Sequence, residues 1–386
     1  MCDNKKHILF LARWYPHRYD PMYGLFVQRH AIAVAQKQTV SAIYIHADEQ
    51  CNSYSDYSYT KNSVNELLWY YPQVKGNAFI KGIQFFRYLI KAYKFIVDKE
   101  GKPDIVHVNI LTRLGVFALL LKYLYGIPYV ITEHWSRYKS ENGTYSGVLR
   151  KFFTKIVVKN ASAVITVTKD LQHAMQYHGL NNKHYYSVPN VVDTQAFCLG
   201  HHHNSGKKEI VHISCFEEKS KNITGILNVI KALSERRSDF VCRMVGEGMD
   251  LEESIAYAKN IGLSDDVVIF EGLKQGDALT TILKNADVFF LFSNYENLPV
   301  VILESFACGV PVVSTDVGGI AEYMNPYLGI LVPPNDQQAA VDALEYVFDN
   351  NNKYDAEVIR DFAVNSFSND VVGQDYCDIY KKILNK

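Results

Sequence analysis

DVFFLFSNYENLPVVILESFACGVPVVSTDVGG, residues 287–319, holds two short apolar runs on either side of a helical pattern. The first run, DVFFLF, reads as a strand. Pro299 then suits the first turn of a helix, where its missing N–H costs nothing. The helix runs to Cys308, and Gly309 ends it. PVVST follows as a second strand, with Asp316, Gly318 and Gly319 just beyond it. Both runs are continuous rather than alternating, the pattern of parallel strands covered by helices on both faces.

The same alternation extends outward in both directions. Towards the N-terminus come HILFLA (7–12), VSAIYIHA (40–47), DIVHVNI (104–110), YVITEHW (129–135) and AVITVT (163–168). The second half holds EIVHISCF (209–216), FVCRMVGEG (240–248), VVIFEGL (267–273) and GILVPP (329–334) besides the two already quoted. Strand–helix alternation on this scale predicts an α/β protein built of doubly wound sheets. A polar, turn-rich segment, CLGHHHNSGKKE (198–209), reads as a linker. The expected domains are 1–200 and 207–368, with a helix over 369–386 packing back on the first. The three histidines 201–203 read as a solvated loop, because nothing nearby completes a metal ligand set. SYSDYSYTKNS (53–63) reads as a long loop.

The chain has 386 residues, 48% hydrophobic and 21% charged, and suits two globular cores. No apolar run approaches the roughly 18 residues of a membrane span. The N-terminal apolar run is short and reads as a buried strand rather than a secretion signal. Seven cysteines without metal or redox spacing suggest a reduced, cytoplasmic setting. The net charge of −1 conceals an imbalance: residues 1–190 hold 24 Lys+Arg and 12 Asp+Glu, the remainder 16 and 29. Either the halves attract each other, or the first half meets an anionic partner. Two basic, aromatic segments, FIKGIQFFRYLIKAYKFIV (79–97) and VLRKFFTKIVVK (148–159), suit an anionic membrane surface. They equally suit helices packed on a sheet with solvated lysines.

Chemistry concentrates around Glu296 and Glu304. One lies in the loop before a helix and the other about one and a half turns inside it. They can therefore reach different parts of one ligand. A carboxylate accepts hydrogen bonds from two adjacent hydroxyls, as ribose and sugars offer. The N–H groups of Leu298 and Val300 stand where a helix N-terminus binds phosphate. Taken alone, Glu296 also suits a plain helix start and Glu304 a solvated helical position.

Residues 286–323 resemble the signature of glycosyltransferase family 4, and the likeness extends over most of the chain. The resemblance implies a GT-B architecture, two doubly wound Rossmann-like domains facing across a cleft. It also implies that Glu296 contacts the donor sugar and Glu304 the ribose hydroxyls. The backbone at Asn297, Leu298, Pro299 and Val300 would hold the diphosphate. Lys221, in FEEKSKNITGILNVIKAL (216–233), stands at the family's phosphate-binding lysine, although Lys219 is also available. Cys215 replaces an arginine common in the family. VGEG (245–248), with Gly246, fits a strand end near the donor, and Gly272 and Leu273 lie near the base.

In the first half, His134 ends a strand and resembles the family's donor-facing histidine. Gly24, in ARWYPHRYDPMYGLFVQRHA (12–31), resembles the glycine loop that approaches the donor diphosphate. His17, Arg18 and Arg29 could meet an acceptor phosphate or be plain surface groups. The implied reaction is retaining transfer of a sugar from a nucleoside diphosphate sugar to an acceptor hydroxyl of a glycan or lipid, in polysaccharide or glycolipid assembly. The expectation is no essential metal, no cofactor, no nucleic acid, and a cytoplasmic protein peripheral on the inner membrane face. A nucleotide-sugar 2-epimerase and a non-catalytic nucleotide-sugar-binding subunit remain the alternatives.

Overall fold

The computed structural model describes residues 5–51, 55–140, 142–200 and 206–385. Histidines 201–203 lie outside the described residues. The chain forms two compact units, residues 1–191 with 369–386, and residues 192–368. The division falls at Val191/Val192, and not in the polar stretch 198–209; residues 192–200 belong to the second unit.

The first unit opens with β1 (His7–Ala12), α1 (Leu25–Ala35), β2 (Thr39–Asp48), β3 (Asp56–Lys61) and β4 (Asn65–Pro72). It continues through α2 (Ala78–Glu100), β5 (Ile105–Asn109), α3 (Arg113–Tyr125), β6 (Tyr129–Glu133), α4 (Val148–Asn160), β7 (Ala163–Thr166), α5 (Lys169–Tyr177) and β8 (Tyr185–Ser187). The strands form one sheet in the order β3-β4-β2-β1-β5-β6-β7-β8, parallel except for β3. β1, β5, β6 and β7 are buried along their whole length, which is why they read as unbroken apolar runs. The segment expected as a loop is different: residues 56–61 form β3, antiparallel to β4. It is an exposed edge strand, polar because it faces water, and held by Tyr57 stacking on Trp69 at 5.0 Å.

The second unit runs β9 (Lys208–Ile213), α6 (Glu218–Lys221), α7 (Ile223–Ser234), β10 (Phe240–Val245), α8 (Leu251–Asn260), β11 (Val268–Gly272) and α9 (Gly276–Asn285). Then come β12 (Val288–Leu291), α10 (Val300–Ala307), β13 (Val312–Thr315), β14 (Gly329–Val332), α11 (Gln337–Asp349) and α12 (Ala356–Phe367). Its sheet is wholly parallel, ordered β11-β10-β9-β12-β13-β14. Ile210, Val288, Phe290 and Val313 pack beneath Ile226, Ile230 and Leu344 from α7 and α11.

The chain then returns to the first unit with α13 (Asn369–Leu384). This helix lies along α1, and its Val372, Tyr376 and Tyr380 join the core of Ile8, Phe10 and Ala31. Gly373 makes the approach close: a Cβ there would stand 2.4 Å from the Ala33 carbonyl oxygen.

Each sheet reverses its direction of winding once. In the first, the chain winds outward from β1 through β2 and then restarts at β5 on the other side of β1. In the second, it winds from β9 to β11 and restarts at β12 beside β9. The loops leaving the two strands at such a point diverge and leave a crevice at their carboxyl ends.

The α1–α13 contact makes a prediction about two helical glycines. Gly373→Ala should lower stability by about 1–3 kcal/mol, because backbone must move. Gly82→Ala in α2, whose Cβ would meet nothing within 4 Å, should be neutral or stabilising by up to about 1 kcal/mol. Thermal unfolding measures both, and equal effects would contradict the packing.

Candidate active site

The crevice of the second unit lies between β9 and β12. Three backbone-directed contacts fasten the loop after β9 to the loop after β12. The Asn294 N–H donates to the Ser220 carbonyl at 2.8 Å, and its Nδ2 to the Lys219 carbonyl at 3.2 Å. Asn222 Nδ2 donates to the Phe292 carbonyl at 3.3 Å. Asn222 sits between α6 and α7 with φ +52, and its Oδ1 accepts the Gly225 N–H as the cap of α7. Asparagine tolerates both tasks. This bend turns Lys221 towards β12.

Lys221 Nζ meets Glu296 Oε1 at 2.5 Å, and Ser293 Oγ donates to the same oxygen at 2.8 Å. The Lys221 side chain is 17% exposed and that of Glu296 10%. Burial works against the lysine's charge, but Glu296 outweighs it, and the pKa of Lys221 ends above its ordinary value. Lys219, by contrast, is exposed, so Lys221 is the one of the two that pairs with Glu296.

α10 begins beside the pair, with Pro299 at its N-cap and Gly309 (φ +77) beyond its end. The loop before it is tied to the turn after β13: the Gly319 N–H donates to the Asn297 carbonyl at 3.0 Å. Thr315 Oγ1 donates to the Ser293 carbonyl at 2.8 Å. Glu304 is only 4% exposed, among the buried apolar residues of α10, so the solvated alternative for it is ruled out. Gly246 has φ +138, and a Cβ there would stand 1.9 Å from the Ser214 carbonyl oxygen. Its glycine is required by the backbone leaving β9, before any ligand is considered. Its N–H donates to the Gly272 carbonyl, so those two strand ends adjoin. Cys215 is exposed at the end of β9.

The first unit brings Gly24 and His134 to one end of its sheet. Gly24 caps α1 with φ +68, against the Trp14–Tyr15 backbone, where a side chain has no room. Two residues on, the ring of Phe26 lies 4.7 Å from that of His134, and His30 lies 5.1 Å from it. Glu133 fastens the strand end. Its carboxylate accepts the N–H groups of Leu111, His134 and Trp135 and the Tyr138 hydroxyl, at 2.9–3.1 Å. Behind His134 a buried row of rings reaches α13. Tyr376 Oη lies 3.3 Å from His30 Nδ1, and His107 lies 2.6 Å from both Tyr380 Oη and Thr132 Oγ1. Burial, with His30 and His107 adding to it, drives the His134 pKa well below the ordinary value. The ring is therefore neutral near pH 7, a hydrogen-bonding group rather than a cation. Arg18 is engaged by Asp48 and Asp56 and lies over the Tyr70 ring at 3.8 Å.

Family models match most of the chain. Glycosyltransferase Family 4 matches residues 54–196, and Glycosyl transferases group 1 matches residues 200–360. The chain belongs to the family 4 glycosyltransferases. The glycosyltransferase is similar to N-acetyl-alpha-D-glucosaminyl L-malate synthase of Bacillus anthracis, 24% identical over 305 residues that cover 75% of this chain and 77% of the other. Its fold matches sucrose-phosphate synthase of Thermosynechococcus elongatus with a TM-score of 0.76 at 16% identity, over 99% and 100% of the two chains. It also matches an Anabaena protein in complex with UDP, with a TM-score of 0.73 at 16% identity, over 98% and 100%. Both show the same two-domain Rossmann-like fold.

Several residues that shape these two crevices were not read from sequence. Ser293, Asn294 and Asn222 position Lys221 and Glu296, and Asn222 alone carried a signal, as a cap-forming residue ahead of an apolar helix. Glu133 and His30 act through contacts between distant segments. Among the described residues no helix is long and apolar enough to cross a membrane.

Buried histidines make stability depend on acid. Burial, opposed by the Pro189 carbonyl, holds His30 down at about 4. Burial likewise holds His212, beneath the second crevice, at about 4. A folded pKa below the unfolded one means that the unfolded chain takes up a proton the folded chain refuses. Stability is thus present above about pH 6.5 and is lost as pH falls towards 4, by up to about 1.4 kcal/mol per pH unit for each ring. His30→Gln should reduce that slope in denaturant titrations; an unchanged slope would contradict a neutral, buried His30.

Proposed function

We propose that the glycosyltransferase moves a hexose from a nucleoside diphosphate sugar to an acceptor hydroxyl with retention of configuration. The Lys221–Glu296 pair at the β9/β12 crevice carries this reading. A diphosphate and a sugar offer each member a better-matched partner: Lys221 turns to the phosphate, and Glu296 accepts from sugar hydroxyls. The first turn of α10, at Leu298 to Val300, adds N–H groups to the phosphate. Glu304 accepts the ribose hydroxyls, and the turn of Gly246 borders the nucleotide. In the first unit, the neutral His134 suits a hydrogen bond to a sugar hydroxyl. The Anabaena protein bound to UDP supports a uridine nucleotide as donor carrier.

In the proposed step the bond from C1 to the diphosphate oxygen breaks as the acceptor oxygen bonds to C1 on the same face. The acceptor proton passes to the leaving diphosphate. The protein supplies position and charge stabilisation, with Lys221 rather than a metal ion neutralising the leaving group.

Two helices favour an acceptor held at a membrane. α2 and α4 both begin at the carboxyl end of the first sheet. Phe79 and Ile83 on α2, and Val148, Leu149 and Phe152 on α4, are more than half exposed. Lys81, Arg87, Arg150 and Lys151 stand among them. Apolar side chains ringed by cations fit an anionic bilayer surface, and so favour a lipid-linked acceptor in glycolipid or polysaccharide assembly.

A thermal-shift panel of UDP, GDP and ADP sugars, followed by nucleotide release with lipid-linked acceptors in anionic vesicles, tests this reading. Glu304→Ala should weaken nucleotide binding by roughly ten- to a hundredfold. Glu296→Ala should leave binding and lower turnover by about a hundredfold. Wild-type binding and turnover in both variants would refute the site. Donor conversion without acceptor would indicate an epimerase instead.

A further inference from the structure

Three arginines converge on the carboxyl end of the first sheet. Arg13 follows β1, Arg113 opens α3 after β5, and Arg137 lies in the short 3-10 turn Ser136–Tyr138 after β6. These three strands are neighbours, and the winding reverses between β1 and β5. The Arg13 N–H donates to the Asn109 carbonyl at 3.3 Å. The rings of Trp14 and Trp135 meet at 5.0 Å. The loops after β1 and β6 thus close over the end of β5.

Among the described residues, none of the three arginines forms an ion pair. Arg113 lies over the Phe85 ring at 4.5 Å, and Arg137 over Trp135 at 3.2 Å. These contacts orient the guanidinium groups without cancelling their charge. Arg137 is 8% exposed, and its Nε has no hydrogen-bond partner. Burial first, and Arg13 in addition, lower the pKa of both Arg113 and Arg137. Glu133 is the carboxylate that acts on Arg137, with Tyr138 beside it and Arg150 opposing. The four donors already described occupy the Glu133 oxygens.

The end of β5 adds independent signs of a ligand. Ile110 has φ +70, a conformation that costs a β-branched residue energy and marks functional sites. α3 starts at Thr112 without a side-chain cap, and the buried Thr112 hydroxyl has no partner. The Asn109 Oδ1 beside it is also unpartnered and suits a hydroxyl donor.

We propose that Arg13, Arg113, Arg137 and the first turn of α3 form a phosphate-binding site, and that the acceptor is anionic, carrying a phosphate or diphosphate next to hydroxyls. The proposal rests on the transferase reading above and names the class of its acceptor. Guanidinium forks match phosphate oxygens in pairs. The helix N-terminus contributes about half a charge more. So much positive charge exceeds what one carboxylate neutralises, whereas a phosphate carries nearly two negative charges. The phosphate comes either from a lipid headgroup or from a soluble phosphorylated acceptor.

The test titrates inorganic pyrophosphate into the full chain, first saturated with UDP or GDP, by calorimetry. One further pyrophosphate site is expected. R13Q/R113Q changes two exposed residues and should weaken it by about tenfold or more, with nucleotide affinity altered less than about twofold. Saturated protein that binds no pyrophosphate, or a double variant that binds as tightly as wild type, would overturn the proposal. If neither nucleotide binds, the donor reading fails, and loss of pyrophosphate binding in R13Q/R113Q still decides this one. Phosphatidylcholine vesicles with and without dicetyl phosphate separate the sources. Retention on dicetyl phosphate that R13Q/R113Q diminishes assigns a lipid phosphate. Pyrophosphate binding without such retention assigns a soluble acceptor.

Discussion

The ion pair between Lys221 and Glu296 organises the second unit. A lysine and a glutamate this far from water are tolerable only together, since removing one partner of a buried pair typically costs about 3–5 kcal/mol. Their meeting requires β9 and β12 to be neighbours although some 75 residues separate the two groups. It also requires the left-handed bend at Asn222 and the bonds from Asn294 to the loop after β9. Such a pair adds little stability over apolar residues of the same shape. On the proposed reading its worth lies in the charges it presents to a donor.

The first unit repeats the plan with the opposite balance of charge. There a buried carboxylate, Glu133, also anchors the critical strand end, but its oxygens are consumed by backbone N–H groups and a tyrosine. What stays uncompensated is arginine. The charge asymmetry between the halves of the sequence thus has a local expression, with a paired crevice in the acidic half and a cationic one in the basic half. α13 ties the end of the chain into the first unit through Tyr376 and Tyr380, so the neutral state of His134 depends on packing supplied from some 240 residues away.

Much of this was legible in sequence because buried parallel strands leave continuous apolar runs. Each run quoted from the sequence lies on a strand, and the helix between Pro299 and Gly309 ends where those residues predict. Of the missed strands, β3 and β8 are the sheet's two edges, where contact with water weakens the apolar signature, and β4 is a half-buried strand between β3 and β2. Residues 53–63 read as a loop because an exposed edge strand is polar on both faces. The candidate site was legible where it is local: Glu296, Pro299 and Glu304 lie within nine positions of one another. Lys221 was named through the family resemblance, and its contact with Glu296 separates it from Lys219; the burial of Glu304 and the grouping of Arg13, Arg113 and Arg137 required the strand order. No spacing in the sequence announces them.

On the proposed reading Lys221, held by Glu296, receives the donor's diphosphate. The affinities of nucleoside diphosphate and nucleoside monophosphate, measured in the wild type and in Lys221→Met, test it most directly. A general loss of structure would weaken both nucleotides alike, so the ratio isolates the phosphate contact. The wild type should prefer the diphosphate, and Lys221→Met should lose about tenfold or more of that preference. An undiminished preference in the variant would contradict it.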